Sequence, residues 1–186
     1  MVEVSTEFAP VSAASISSLE SLLSEPPAIE PVEKFLRFRV SRDQTLLVAV
    51  QDITGVKTIS VSEVLPVPQM HPCVLGIYNW RGEALWLVDL SQQMGLGSLP
   101  EQVQRLASLV TIVAQHGTTS LGLVVPEVNE IEQHNPEDLL LPSSDLFPQN
   151  LLPFIQGYFI HDRSIVLNVP SVLKDPSLQI HPFNSF

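Results

Sequence analysis

The chain has 186 residues, 45% of them hydrophobic, with 16 prolines, one cysteine and a formal charge of −11, which is enough apolar content for a packed core in one ordinary domain or two small ones. Nine Lys and Arg against 20 Asp and Glu exclude the basic footprint that nucleic-acid phosphates require. Cys73 alone can form no internal disulfide, no signal-like basic and apolar leader opens the sequence, and no apolar run nears the ~20 residues that span a bilayer; a cytoplasmic location is expected, with membrane association only through a partner.

Residues 1–33 hold Ser, Pro, Ala and Glu and no Lys or Arg. Such a composition buries too little to offset its ordering entropy, so a flexible acidic tail is expected. Within it Ile16, Leu19, Leu22 and Leu23 share a helical face that ends at Pro26 and Pro27, which predicts a short helix formed on docking. Residues 34–174 change to short β-type runs: FLRFRV from Phe35, TLLVAV from Thr45, VKTISVSEV from Val56, VLGIYNW from Val74, ALWLVDL from Ala84, LVTIVA from Leu109, SLGLVV from Ser120, NEIEQ from Asn129, GYFI from Gly157 and SIVLNV from Ser164. Several alternate with period two, as half-buried strands do, and the prolines are too many for a helical protein. Helix is expected only in short pieces at residues 91–94, 101–107 and 171–174. Residues 175–186 read as a C-terminal tail.

The β region repeats itself. FLRFRVSRDQTLLVAVQDI from Phe35 aligns with LVTIVAQHGTTSLGLVVPEV from Leu109, and GIYNWRGEALWLVDL from Gly76 aligns with GYFIHDRSIVLNV from Gly157. Each member of the second pair closes a strand on Asp89 or Asn168. Two sequential units of roughly 70 to 80 residues follow, each closing about five strands into a small barrel that hides its sheet edges.

Motifs for chemistry are missing. The five histidines stand apart in the sequence without metal-ligand spacing, GxSxG is absent, Cys73 reads as a buried thiol, and Gly95 and Gly97 lack the third glycine and lysine of a phosphate loop. No metal, cofactor or catalytic residue is expected, and the chain reads as a binding protein rather than an enzyme. In the hairpin of GIYNWRGEALWLVDL, Gly82 supplies a positive φ and Asn79 closes the turn through its side chain. Arg81 could satisfy carbonyls at the end of a barrel or present a planar cation to a partner.

The same stretch, with Pro72 ahead of Val74, Leu75, Gly76, Asn79, Arg81, Gly82, Asp89 and Leu90, resembles the signature of CheW-like coupling proteins. KFLRFRV resembles that family's first strand, SLGLVVPEVNEI its second-half stretch and QGYFIHDRSIVLNVPSVL its closing segment. The resemblance implies a mainly β fold of two SH3-like five-stranded barrels with a short C-terminal helix. It also implies a non-catalytic adaptor of chemosensory arrays that joins the regulatory domain of a CheA-type histidine kinase to the cytoplasmic tip of methyl-accepting chemoreceptors. On that likeness the receptor contact uses Val56, Thr58, Ile59, Asn79, Arg81 and Gly82 of the first barrel, and the kinase contact uses exposed residues of the second barrel around Leu121, Gly122, Leu123, Val124 and Val125. Thr58 replaces the family's usual Glu, a role Glu63 could take over, while Trp86 and Pro126 replace a proline and an aspartate; Pro126 suits an edge strand. Two other readings follow: a specialised CheW-like scaffold of pilus motility or phototaxis that binds kinase but no conventional receptor, and a β-barrel enzyme or small-molecule binder with a site between barrels.

Overall fold

The computed structural model describes residues 31–98 and 107–178. The expected tail falls outside them except at its end, as do the helical face at residues 16–23 and all but Ala107 of the helix expected at 101–107. All ten predicted strands form: β1 (Glu33–Arg39), β2 (Thr45–Ala49), β3 (Ile53–Ser60), β4 (Val74–Trp80), β5 (Glu83–Asp89), β6 (Ser108–His116), β7 (Thr119–Val125), β8 (Glu127–His134), β9 (Ile155–Phe159) and β10 (Ser164–Leu167). Two short helices follow the last strand of each repeat, α1 (Leu90–Gln93) and α2 (Val169–Leu173).

The strands make two curled sheets of five, which we call A and B, ordered β8-β1-β2-β10-β9 and β3-β6-β7-β5-β4. Replacing β1 by β6, β2 by β7, β8 by β3, β9 by β4 and β10 by β5 converts the first order into the second. Even the single parallel pair of each sheet corresponds, β10 with β2 in A and β5 with β7 in B. The repeat read in the sequence is therefore a repeat of topology. It is not a repeat of sequential barrels, however: each sheet takes two strands from one repeat and three from the other. The crossings lie where the ladder is interrupted, at the 3-10 turn Val50–Asp52 after β2 and at Pro126 after β7. Pro126 has no N–H to donate and so marks the corner between a central strand and an edge strand, instead of lying within an edge strand as expected.

Small details are duplicated too. Leu65 bridges Ile77 as Leu140 bridges Tyr158. Gly76 and Gly157 lie beside those bridges, where any Cβ would run into the carbonyl oxygen of Leu65 or Leu140. Asp89 and Asn168 are the N-caps of α1 and α2, accepting from the backbone N–H of Gln92 and Ser171 at 3.1 and 3.0 Å, which satisfies donors that a helix start leaves orphaned. Their own N–H groups donate to the carbonyls of Cys73 and Phe154, both at 2.8 Å.

Both faces of the central strands are buried, so their residues read as continuous apolar runs. Leu36, Phe38, Leu123 and Val125 enter the cluster shared by the two sheets. Alternate positions fill the sheets' own interiors: Phe35, Leu47, Ala49, Phe159 and Val166 in A, and Ile59, Tyr78, Leu85, Leu87, Leu109, Val113 and Val124 in B.

Candidate functional site

The hairpin of β4 and β5 carries the conspicuous polar turn. Arg81 and Gly82 are its two loop residues, with φ of 54° and 88°, the double positive φ of a type I′ turn, whose twist matches that of the flanking strands. Asn79 Oδ1 accepts the Gly82 N–H at 2.9 Å, so both residues are explained by the turn. Arg81 is not: a side chain at positive φ costs about 1 kcal/mol, and glycine or asparagine is the usual occupant. Its guanidinium lies 5.0 Å from the Trp80 ring centroid, and the residue is exposed.

Edge strand β3 meets this hairpin across the open seam of sheet B. Lys57 Nζ stands 5.5 Å from the Tyr78 ring and 5.4 Å from the Trp80 ring, so two cations and two aromatic rings share one end of the sheet. Cation–π attraction holds each pair with ~0.5–1 kcal/mol at an exposed site. Val56 and Thr58 flank Lys57 and are exposed, whereas Ile59 is fully buried. Val56 and Thr58 on β3 and Asn79, Arg81 and Gly82 on the hairpin are thus all exposed, and Ile59 is core. Glu63 is exposed, but its carboxylate accepts the Ser60 N–H at 3.1 Å in a capping box.

The other predicted set has a different setting. Leu121, Gly122, Leu123, Val124 and Val125 form β7, hydrogen-bonded to β6 on one side and β5 on the other, and all five are buried. The expectation of an exposed strand there is corrected: a central strand paired on both edges and covered on both faces offers no surface. It also lies in sheet B with β3 and β4 rather than in a separate barrel. The apolar run that suggested a contact strand is the signature of double burial.

Sheet A has a polar cluster at its matching end that sequence reasoning missed. Arg37 of β1 donates through Nε and Nη2 to the two oxygens of Glu132 on β8, and Nη2 also reaches Asp162 Oδ2 at 3.1 Å and Ser164 Oγ at 2.7 Å. Ser164 donates its hydroxyl and its N–H to Asp162 at 2.6 and 3.1 Å. His134 stacks on Phe159 with ring centroids 4.4 Å apart, and its Nε2 lies 3.1 Å from Glu132 Oε2. The Arg37 hydrogen bond, working against burial, holds the Glu132 carboxyl below its usual range. Burial alone would raise Asp162, but the Ser164 hydrogen bonds and the nearby histidines outweigh it and its carboxyl is also lowered. His134 and His161, distant in sequence, come together with Asp162 so that one ligand atom from each lies within 4.8 Å of the others. The alternation of charged residues along β1 and β8 could have signalled a shared polar face, but nothing local tells which strands pair.

Cys73 is fully buried with His71 Nδ1 3.0 Å from its sulfur. That is the outline of a nucleophile and base, but burial pushes the thiol pKa up, and a protonated, enclosed thiol is not a nucleophile.

Residues 34–177 match the family model described as the CheW-like domain. The chain is 31% identical over 138 residues to "Chemotaxis protein CheW" of Rhizobium meliloti (strain 1021), covering 72% of this chain and 82% of that protein. The crystal structure of scaffolding protein TtCheW from Thermoanaerobacter tengcongensis aligns with a TM-score of 0.67 at 16% identity, over 81% of this chain and 99% of the other, a likeness of fold. None of the described residues forms a helix long and apolar enough to cross a membrane.

Proposed function

We propose, for a chain that belongs to the CheW-like domain family, that it is a non-catalytic scaffold coupling a CheA-type histidine kinase to the cytoplasmic tip of chemoreceptors. The observation that carries this reading is the exposed turn at residues 79–82, where Arg81 is held at positive φ with its cation over the Trp80 ring and, among the described residues, no carboxylate paired with it. Strain kept at an exposed polar position is the mark of a residue retained for contact. In a chain of net charge −11, Lys57 and Arg81 make this end locally cationic, suited to an acidic receptor helix, and exposed Val56 offers apolar area on the other face of β3. Kinase control would arise from the coupling free energy between bound states, not from a reaction in this chain. Recruitment to membrane arrays then follows from receptor binding alone.

The exposed Thr58 favours a second reading, a specialised scaffold that binds the kinase but no conventional receptor, because an uncharged residue stands where the CheW-like pattern that this sequence resembles has Glu. Co-sedimentation with a kinase regulatory domain and with a receptor cytoplasmic fragment, each separately, distinguishes the two. Binding to both supports the coupling role. Binding to the kinase alone selects the specialised scaffold, and binding to neither overturns both in favour of a small-molecule or enzymatic role.

A further inference from the structure

The end of sheet A contains an unbalanced charge. Arg37 contributes one positive charge to the cluster, and Glu132 and Asp162, both hydrogen-bonded to it, contribute two negative ones. A carboxylate in excess favours a further cation beside it. Two imidazoles adjoin it. His134, only 8% exposed, is fixed by stacking on Phe159 and by an edge contact with Phe35, and exposed His161 sits with its Nε2 3.7 Å from Asp162 Oδ1. Asp162 divides its oxygens between two tasks: Oδ2 takes Arg37 and the Ser164 hydroxyl and lies 3.9 Å from His134 Nε2, while Oδ1 takes the Ser164 N–H and faces His161. Both histidines also line an open depression of about 600 Å³ with Glu137 and Asp138, through which a hydrated ion can enter.

We propose that His134, His161 and Asp162 form a binding site for a borderline divalent transition cation of the Zn²⁺ type. Two nitrogens and one carboxylate oxygen are a donor set for such ions, with a fourth position left to water. Bonds of ~2.0–2.1 Å place tetrahedral ligand atoms about 3.3 Å apart. From a present spread of up to 4.8 Å, closure needs rotation of the exposed His161 side chain and a small shift between Asp162 and His134. The His134 Nε2 lies 3.9 Å from Asp162 Oδ2 and exchanges its 3.1 Å contact with Glu132 for the ion. Arg37 and Ser164 then act on the outer oxygen of Asp162, orienting the ligand. The topology supplies a consequence. β8 and β9 are the two edges of sheet A, His134 ends β8, and His161 and Asp162 follow β9. A bound ion would staple the open seam of that sheet, where sheet B has Lys57 against Tyr78 and Trp80.

The test is titration of the full chain with Zn²⁺ alone by calorimetry, with Co²⁺ absorption reporting the ligand field and thermal unfolding reporting the staple. A single equivalent should bind and raise the unfolding midpoint. His161→Ala, at an exposed position that leaves the fold intact, should weaken binding tenfold or more and abolish the thermal shift, with His134→Gln behaving alike where it folds. His71→Ala and His116→Ala should bind as the parent does. No binding, or binding unchanged in His161→Ala or lost in His71→Ala or His116→Ala, would overturn the site.

Discussion

The two sheets share one topology and use their equivalent ends in opposite ways. By the strand registers, Arg37, Glu132 and Ser164 of sheet A occupy the places of Val113, Lys57 and Leu85 in sheet B. Sheet A therefore ties these places together in an ionic network, whereas sheet B has two buried apolar side chains there and turns Lys57 to the rings of Tyr78 and Trp80. The hairpins differ as well. Beyond the matching pairs Phe159 with Ser164 and Tyr78 with Leu85, the β9 hairpin turns at once, whereas the β4 hairpin continues through Asn79 with Ala84 and Trp80 with Glu83. Two more pairs carry Arg81 about 7 Å further out. Sheet A turns its polar groups on one another and sheet B projects Arg81 outwards, so one topology carries a self-satisfied end and an exposed one.

The largest effect that tests this contrast is removal of Arg37. Arg37→Leu leaves two carboxylates without their guanidinium and should cost about 3 kcal/mol in urea unfolding. The double change Arg37→Leu with Glu132→Leu, which removes both members of the pair, should recover much of that loss, because apolar side chains replace a partly buried ion pair at little cost. A neutral single variant would remove the distinction between the ends.

Arg81→Asn probes the opposite end. Asparagine tolerates positive φ, so the variant should gain about 1 kcal/mol of stability while binding a receptor fragment more weakly. Loss of stability would instead make Arg81 a structural clamp. A smaller effect follows with pH. The Glu132 and Asp162 carboxyls are lowered in the folded state, so the stability they contribute is fully present above the ordinary carboxylate range and is lost as pH falls through their lowered values. The acid limb of the stability curve should be shallower in Arg37→Leu than in the parent. Smallest of all, Lys57→Ala should cost ~0.5 kcal/mol, the worth of an exposed cation–π contact, and should loosen the seam of sheet B as judged by amide exchange of β3.

Strand positions and the internal repeat were legible in the sequence because they rest on local features: period-two alternation along Leu36, Phe38 and Val40, the Asn79 and Gly82 turn chemistry, and the Asp89 and Asn168 positions that prove to be helix caps. Partner choice was not legible. Alternation assigns faces but does not say that β1 and β2 pair with β8 and β10 instead of with the rest of their own repeat. That gap explains the misplaced exposure of residues 121–125, whose apolar run suits a contact strand or a doubly buried one equally well. It also hid the cluster around Arg37, since His134 and His161 meet only after strands from both repeats have paired. Within the predicted receptor set, Ile59 could have been separated from Val56 and Thr58 by parity alone, because Lys57 and Ile59 point to one face and their neighbours to the other.

The most direct measurement is kinase autophosphorylation in a mixture of kinase, receptor fragment and this protein, comparing the parent with Arg81→Asn. The account predicts that the parent alters kinase activity only when all three components are present, and that the variant, folded and still bound to the kinase, loses this receptor-dependent change. A variant that couples as well as the parent would show that the projecting cation plays no part in the contact and would contradict the assignment of function to the end of sheet B.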